Sequence, residues 1–256
     1  MKHALIVGLG LSVFGVATAD QCEEDYSQTL EVSESMPASM QQFFIDAQAG
    51  SLEIVGESGT DEMVAIGEAC ASSQKLLDKI RLESKSDSDG VSVYTDVPTS
   101  QGGWFGNVAY LHVKVRLPSR VFVSIEDSSG SIKVRDVSGL DVDDSSGSID
   151  ARSIMGPVSI IDSSGSLTLN RVEGDVRLND GSGSITVKNV QGSVRIEDDG
   201  SGSIDIRKVR DNVIVEDDGS GSIRVSDVGG DFSVGSDGSG GIHYDDVMGS
   251  VSIPED

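Results

Sequence analysis

The chain has 256 residues, of which 43 are acidic and 19 basic, giving a formal net charge of −24 at neutral pH. A surface of that sign repels polyanions, which excludes nucleic acid and anionic lipid headgroups as natural partners. It suits a well-solvated protein, or one that meets cations or a basic partner.

Residues 1–19 read as a secretory signal peptide: Lys2 is the positive start, Ala4 to Val16 form the apolar run, and Ala17-Thr18-Ala19 is a small-x-small cleavage site. That run is too short to cross a bilayer core of about 30 Å as a helix. Cleavage before Asp20 is expected, and loss of Lys2 makes the mature chain slightly more acidic. Cys22 lacks the Leu-x-Gly/Ala context of a lipid-anchored cysteine. No other stretch is long and apolar enough to span, so no transmembrane anchor is expected and the protein is read as periplasmic or secreted. Two cysteines in an exported chain, Cys22 and Cys70, are expected to form a disulfide. The histidines (His3, His112, His243) are scattered, so neither a metal site nor a cofactor is expected.

Residues 20–43 are polar with no clear period and read as an N-terminal tether. Residues 44–120 read as an irregular β cap. Within it, the stretch from Phe44 to Ile54 anticipates the later repeats, with Asp46, a small-residue turn, then Gly50-Ser51-Leu52-Glu53-Ile54. Met63 to Gly67 and Val91 to Tyr94 alternate as strands do, and Ser73 to Ile80 holds a short helical turn behind a Ser cap. Trp104 and Phe105 sit in a glycine-rich loop, either as a contact site or folded over the end of the core. Val108 to Leu117 alternates for ten residues before Pro118 stops it.

From residue 121 to 256 the chain repeats itself. Gly-Ser-Ile or a near relative recurs at Gly130, Gly147, Gly165, Gly183, Gly202, Gly221 and Gly240, in steps of 17, 18, 18, 19, 19 and 19 residues. An aspartate stands three residues before each: Asp127, Asp144, Asp162, Asp180, Asp199, Asp218 and Asp237. Each unit has two arms, Gly-Ser-Ile-x-Val and Gly-x-Val-x-Val/Ile. A Val or Ile marks the bend between them, from Val137 to Val247. Apolar residues two apart share one strand face. The residues between them (Lys133, Asp150, Thr168, Thr186, Asp205, Arg224, His243) are polar and face out.

A fixed short period means stacked units that bury their apolar sides on one another. Two short strands per 18–19 residues describe one rung of a parallel β-solenoid, right-handed because parallel crossovers almost always are. A left-handed hexapeptide helix would need an aliphatic at every sixth position, and the sequence does not keep that beat.

The Asp-x-Ser-Gly corners are the sharpest local feature. Stacked, the aspartates form a column, and two carboxylates about 5 Å apart in water repel by about 0.8 kcal/mol. The favoured reading is a structural ladder: each carboxylate accepts backbone N–H bonds in its own turn, and the serines bond along the stack. Calcium between neighbouring corners is the alternative, but the calcium β-roll places its aspartate after the glycines, not before them. Recurring basic residues (Arg135, Arg152, Lys188, Arg207, Arg177, Arg195) read as lateral charge balance, with an acidic-glycan groove as the alternative. No Ser/His/Asp set, phosphate loop or zinc spacing appears, and no catalytic residue is nominated.

The Phe44 to Ile54 opening, the Trp104 to Asn107 loop, the strand ending at Pro118 and the tandem D-x-S-G-S-I corners together resemble the bacterial "putative adhesin" family of tandem β-strand repeats. The likeness covers about Phe44 to Asp256. It implies a non-enzymatic envelope or secreted solenoid, binding an envelope protein or glycan, and carries over no functional residues. A β-helical polysaccharide-active enzyme is the rival class. The acidic C-terminus and Pro254 lead us to expect a mainly monomeric protein.

Overall fold

A computed structural model describes residues 22–98 and 107–254. Ahead of the repeats come β1 (Tyr26–Ser35), β2 (Gln42–Ala49), β3 (Leu52–Glu57), β4 (Glu62–Ala71), α1 (Gln74–Leu77), β5 (Arg81–Ser86), β6 (Gly90–Asp96) and β7 (Ala109–Pro118). β8 (Phe122–Arg135) runs through a corner and serves two walls. Then follow β9 (Gly139–Asp144), β10 (Gly147–Ile154), β11 (Val158–Asp162), β12 (Gly165–Val172), β13 (Val176–Asp180), β14 (Gly183–Val190) and β15 (Val194–Asp199). The chain continues through β16 (Gly202–Val209), β17 (Val213–Asp218), β18 (Gly221–Val228), β19 (Phe232–Asp237), β20 (Gly240–Val247) and β21 (Val251–Ser252).

The repeats form a parallel β-solenoid. Odd-numbered strands from β9 stack on one another as one wall, even-numbered strands from β10 as the other, every pairing parallel. Glycine lies on glycine (Gly147 on Gly130, and Gly183, Gly202, Gly221 and Gly240 in succession on Gly165) and aspartate on aspartate from Asp127 to Asp237. The inner columns are aliphatic. Ile132, Ile149, Leu167, Ile185, Ile204 and Ile223 form one, and Val137, Ile154, Val172, Val190, Val209 and Val228 fill the bend; all are buried. Burial of each such side chain contributes on the order of 1.5–3 kcal/mol.

The uneven repeat lengths have two local causes. Ser138-Gly139 turns the chain after Val137, whereas the next bend uses Met155-Gly156-Pro157, one residue longer. The later lengthening falls inside a strand: the register of β13 and β15 shifts after Leu178, with Asn179 opposite Asp198. The extra residue is a bulge that leaves the aspartate column aligned. A further regularity escaped the sequence pattern. The residue before each bend (Asp136, Ser153, Arg171, Asn189, Lys208, Asp227, Asp246) has φ between 50° and 62°, a left-handed conformation adopted by seven non-glycine residues in a column.

The N-terminal end is built differently. β2 and β3 form a rung directly beneath β8. β6 and β7 lie beneath that one, paired in parallel with β2 and β3. Rung order and chain order therefore part company here. β4 and β5 then continue the two walls in antiparallel fashion, and β1 adds to β4 in the same sense. Met36, Phe43, Met63, Leu77 and Ile80 enlarge the core at this end.

Two expectations change. Part of the segment read as a tether, residues 20–43, is the ten-residue strand β1. It is an edge strand whose inward side chains, such as Leu30 and Val32, are only partly buried, so its apolar period is faint. In the first rung it is Ala47, not Asp46, that stands beneath Asp127, so the column of acids starts at Asp127. The helical turn after Ser73 exists, although the Ser73 side chain makes no capping bond.

Candidate functional site

The corners define the most ordered polar feature of the molecule. Asp144 Oδ1 accepts the Ser146 N–H at 3.0 Å, Asp162 that of Ser164 at 3.0 Å and Asp180 that of Ser182 at 3.1 Å. The serine hydroxyls donate along the stack, Ser146 to the Ser128 carbonyl at 3.2 Å and Ser164 to that of Ser145 at 3.5 Å. Glycine is required beside them. Gly202 has φ +150°, and a Cβ there would lie 1.4 Å from the Gly183 carbonyl oxygen. Each such corner is a turn closed by its own carboxyl and stacked through its serine.

The carboxyls themselves are out of water. Asp144, Asp162, Asp180, Asp199 and Asp218 are 0–1% exposed and Asp127 7%. The sequence carried the signal in its alternation. Val123, Ile125 and Asp127 share one parity, as do Leu140, Val142 and Asp144, so the aspartate is the third inward residue of its strand. Burial raises Asp127 to about 7, with the Asp144 charge adding to it. It likewise raises Asp144 to about 6, Asp180 to about 6 with help from Asp162, and Asp199 to about 7 with help from Asp218 and Asp180. Asp162 and Asp218 are raised for the same first cause. Among the described residues, no three His, Cys, Asp or Glu side chains converge as a metal ion would need.

The outer faces present straight columns. Lys133, Asp150, Thr168, Thr186, Asp205, Arg224 and His243 are rung neighbours on the even-strand wall. The basic residues find acids here rather than in the aspartate column. Arg152 grips Asp150 with bonds of 2.7 and 2.6 Å, and Arg207 grips Asp205 at 2.7 and 2.9 Å. On the other wall Arg177 pairs with Glu197 and Arg195 with Glu216, each in the following rung. An open depression of about 300 Å³ is lined by Gln191, Lys208, Arg210 and Asp227.

One Ser–His contact was invisible in the sequence because it crosses elements. The Ser51 hydroxyl lies 2.8 Å from His112 Nδ1, and the Ser51 N–H donates to the same nitrogen at 3.0 Å. Glu68 faces His112 across β4 and β7. Burial lowers the His112 pKa despite Glu68. An imidazole nitrogen that accepts a backbone N–H is fulfilling a structural bond, here holding the first-rung corner onto β7.

Cys22 and Cys70 form a disulfide with Cα atoms 5.6 Å apart, fastening the chain ahead of β1 to β4. Trp104 and Phe105 lie outside the described residues, as does the signal-like segment. No helix among the described residues is long and apolar enough to cross a membrane.

No family model matches this chain, and no curated protein matches it. Solved structures similar to it include a "putative adhesin" from Bacteroides fragilis, 13% identical, covering 89% of this chain and 97% of that one with a TM-score of 0.44. A "putative cell adhesion protein" from Clostridium sporogenes is 14% identical over 88% of this chain and 99% of its own, with a TM-score of 0.38. A "putative lipid binding protein" from Parabacteroides distasonis is 17% identical over 90% and 98%, with a TM-score of 0.42.

Proposed function

We propose that this is an exported, non-enzymatic binding or scaffold protein of the cell envelope. It presents the even-strand wall to an envelope protein or a glycan. The observation that carries this reading is the in-register outer face: columns such as Asp150-Thr168-Thr186-Asp205 give a flat, repetitive polar surface along the stack. Such a surface suits an extended partner with its own repeat. The disulfide supports an oxidising compartment, periplasmic or extracellular. The protein acts mainly as a monomer.

The test is crosslinking in intact cells, with a photoreactive residue placed at Thr168 or Thr186. One dominant adduct from these positions, absent when the probe is moved to Ser159 on the opposite wall, is expected. Turnover of an acidic polysaccharide by the purified protein, lost on changing one particular aspartate, would replace this reading with the enzymatic one.

A further inference from the structure

The aspartate column raises a problem that the ladder geometry does not resolve. Ionised carboxylates only accept hydrogen bonds, and a buried acceptor without a donor is costly. The Oδ2 atoms of Asp127, Asp144, Asp162 and Asp180 are buried without a partner, and the buried carboxyls of Asp199 and Asp218 have only the backbone N–H of Ser201 and of Ser220 beside them. Each of these residues lies directly over the next in register: Asp127 on Asp144, Asp162 on Asp144 and Asp180, Asp199 on Asp180 and Asp218. The other charges acting on them are acidic too: Asp46 from β2 on Asp127, and Asp143, Asp198, Asp217 and Asp237 on their neighbours. Among the described residues, no cation figures among the charges acting on them.

We propose that this column binds protons within the folded solenoid, successive carboxyls sharing them as O–H···O bonds along the stack. A carboxylic acid donates where a carboxylate cannot, so alternate protonation gives the orphaned oxygens partners and removes every nearest-neighbour repulsion at once. The six buried aspartates from Asp127 to Asp218 then form a proton-loaded spine rather than a row of charges, and the protein's true charge at neutral pH is less negative than its formula.

The sign of the pH dependence follows. The folded carboxyls hold protons up to about pH 6 to 7, against an ordinary value of 3.8. The folded state therefore binds more protons than the unfolded state across that interval. The contribution is fully present below the unfolded value and is lost as pH rises through the folded ones. Acid tightens this solenoid and mild alkali loosens it, opposite to the usual acid denaturation of a protein held by paired carboxylates.

Infrared spectroscopy of the intact protein, with aspartate isotopically labelled, reads the protonated carboxyl band directly. We expect several equivalents of the band at about pH 6, where unfolded protein shows almost none, disappearing as pH passes about 8. In urea, the unfolding midpoint is expected to fall between about pH 5 and about pH 8. In a triple variant, Asp144→Asn, Asp180→Asn and Asp218→Asn, carboxamides supply donors to the remaining carboxylates, and that fall is expected to flatten. Absence of the band in the native protein at about pH 6 would overturn the proposal whatever the variant does. So would a midpoint that climbs from about pH 5 to about pH 8, or stability at alkaline pH that depends on added calcium chloride while the band stays absent.

Discussion

The two ends of this solenoid solve the same problem in opposite ways. At the N-terminal end the walls pass into antiparallel strands, a disulfide fastens the outermost of them, and large side chains such as Phe43 and Met63 fill the widened core. At the other end the β20–β21 rung pairs only with the rung before it among the described residues. There Tyr244, at the position that Val225 occupies one rung earlier, is 49% exposed, whereas Val225 is 2% exposed. A periodic rung cannot cover itself, because each buries its apolar side only when another follows. Closing the stack requires leaving the period, and the N-terminal region shows what that costs in sequence regularity.

The contrast can be broken most severely in the middle. Gly202→Val places a Cβ against the Gly183 carbonyl at a φ that only glycine adopts easily. We expect a loss of about 4 kcal/mol or more and, by circular dichroism melts, collapse of cooperative unfolding in the repeats. Ile204→Ala and Ile242→Ala then compare buried and terminal rungs at equivalent positions. The first should cost about 2–5 kcal/mol and the second well under half as much, measured by urea unfolding. Equal costs would mean that something covers the last rung. Replacing Cys22 and Cys70 together by Ala is expected to cost about 2–4 kcal/mol. Hydrogen exchange should localise that loss to β1 and β4 and leave the repeats protected. The smallest effect concerns the left-handed column, which β3 and β7 lack. Lys208→Val should cost about 1–2 kcal/mol, while Lys208→Gly stays within about 1 kcal/mol of the parent in the same assay.

The solenoid was legible because its rule is local and recurs: Gly-Ser-Ile-x-Val places Ile132 and Val134 on one face, and the copy at Gly147 does the same with Ile149 and Ala151. The Asp-x-Ser-Gly corners stood out in the sequence through the known turn habits of those residue types. What escaped was whatever depended on partners distant in sequence. β1 pairs with β4 from Tyr26 on Ala71 to Ser35 on Glu62, far along the chain, and its own pattern of Glu and Ser does not announce the pairing. The insertion of β6 and β7 beneath β2 and β3 reverses rung order, which no repeat spacing encodes. Burial of the aspartates was written in the strand parity, yet residue type outweighed it, since an acid at a glycine corner is ordinarily a solvated one.

Strict rung-on-rung register also makes this molecule a ruler with removable divisions. Because Gly183, Gly202 and Gly221 occupy equivalent places, excising residues 202–220 would join Ser201 to Gly221 with both walls still in step. The result would be the same cross-section, shorter by about 4.8 Å. Loss of a single residue from a strand has no such neutrality, since it turns every following inward side chain outward until a bend absorbs it. Length can therefore drift by whole rungs at little thermodynamic penalty while the faces keep their chemistry. A reach set in this way is adjusted by counting units, without redesigning any of them.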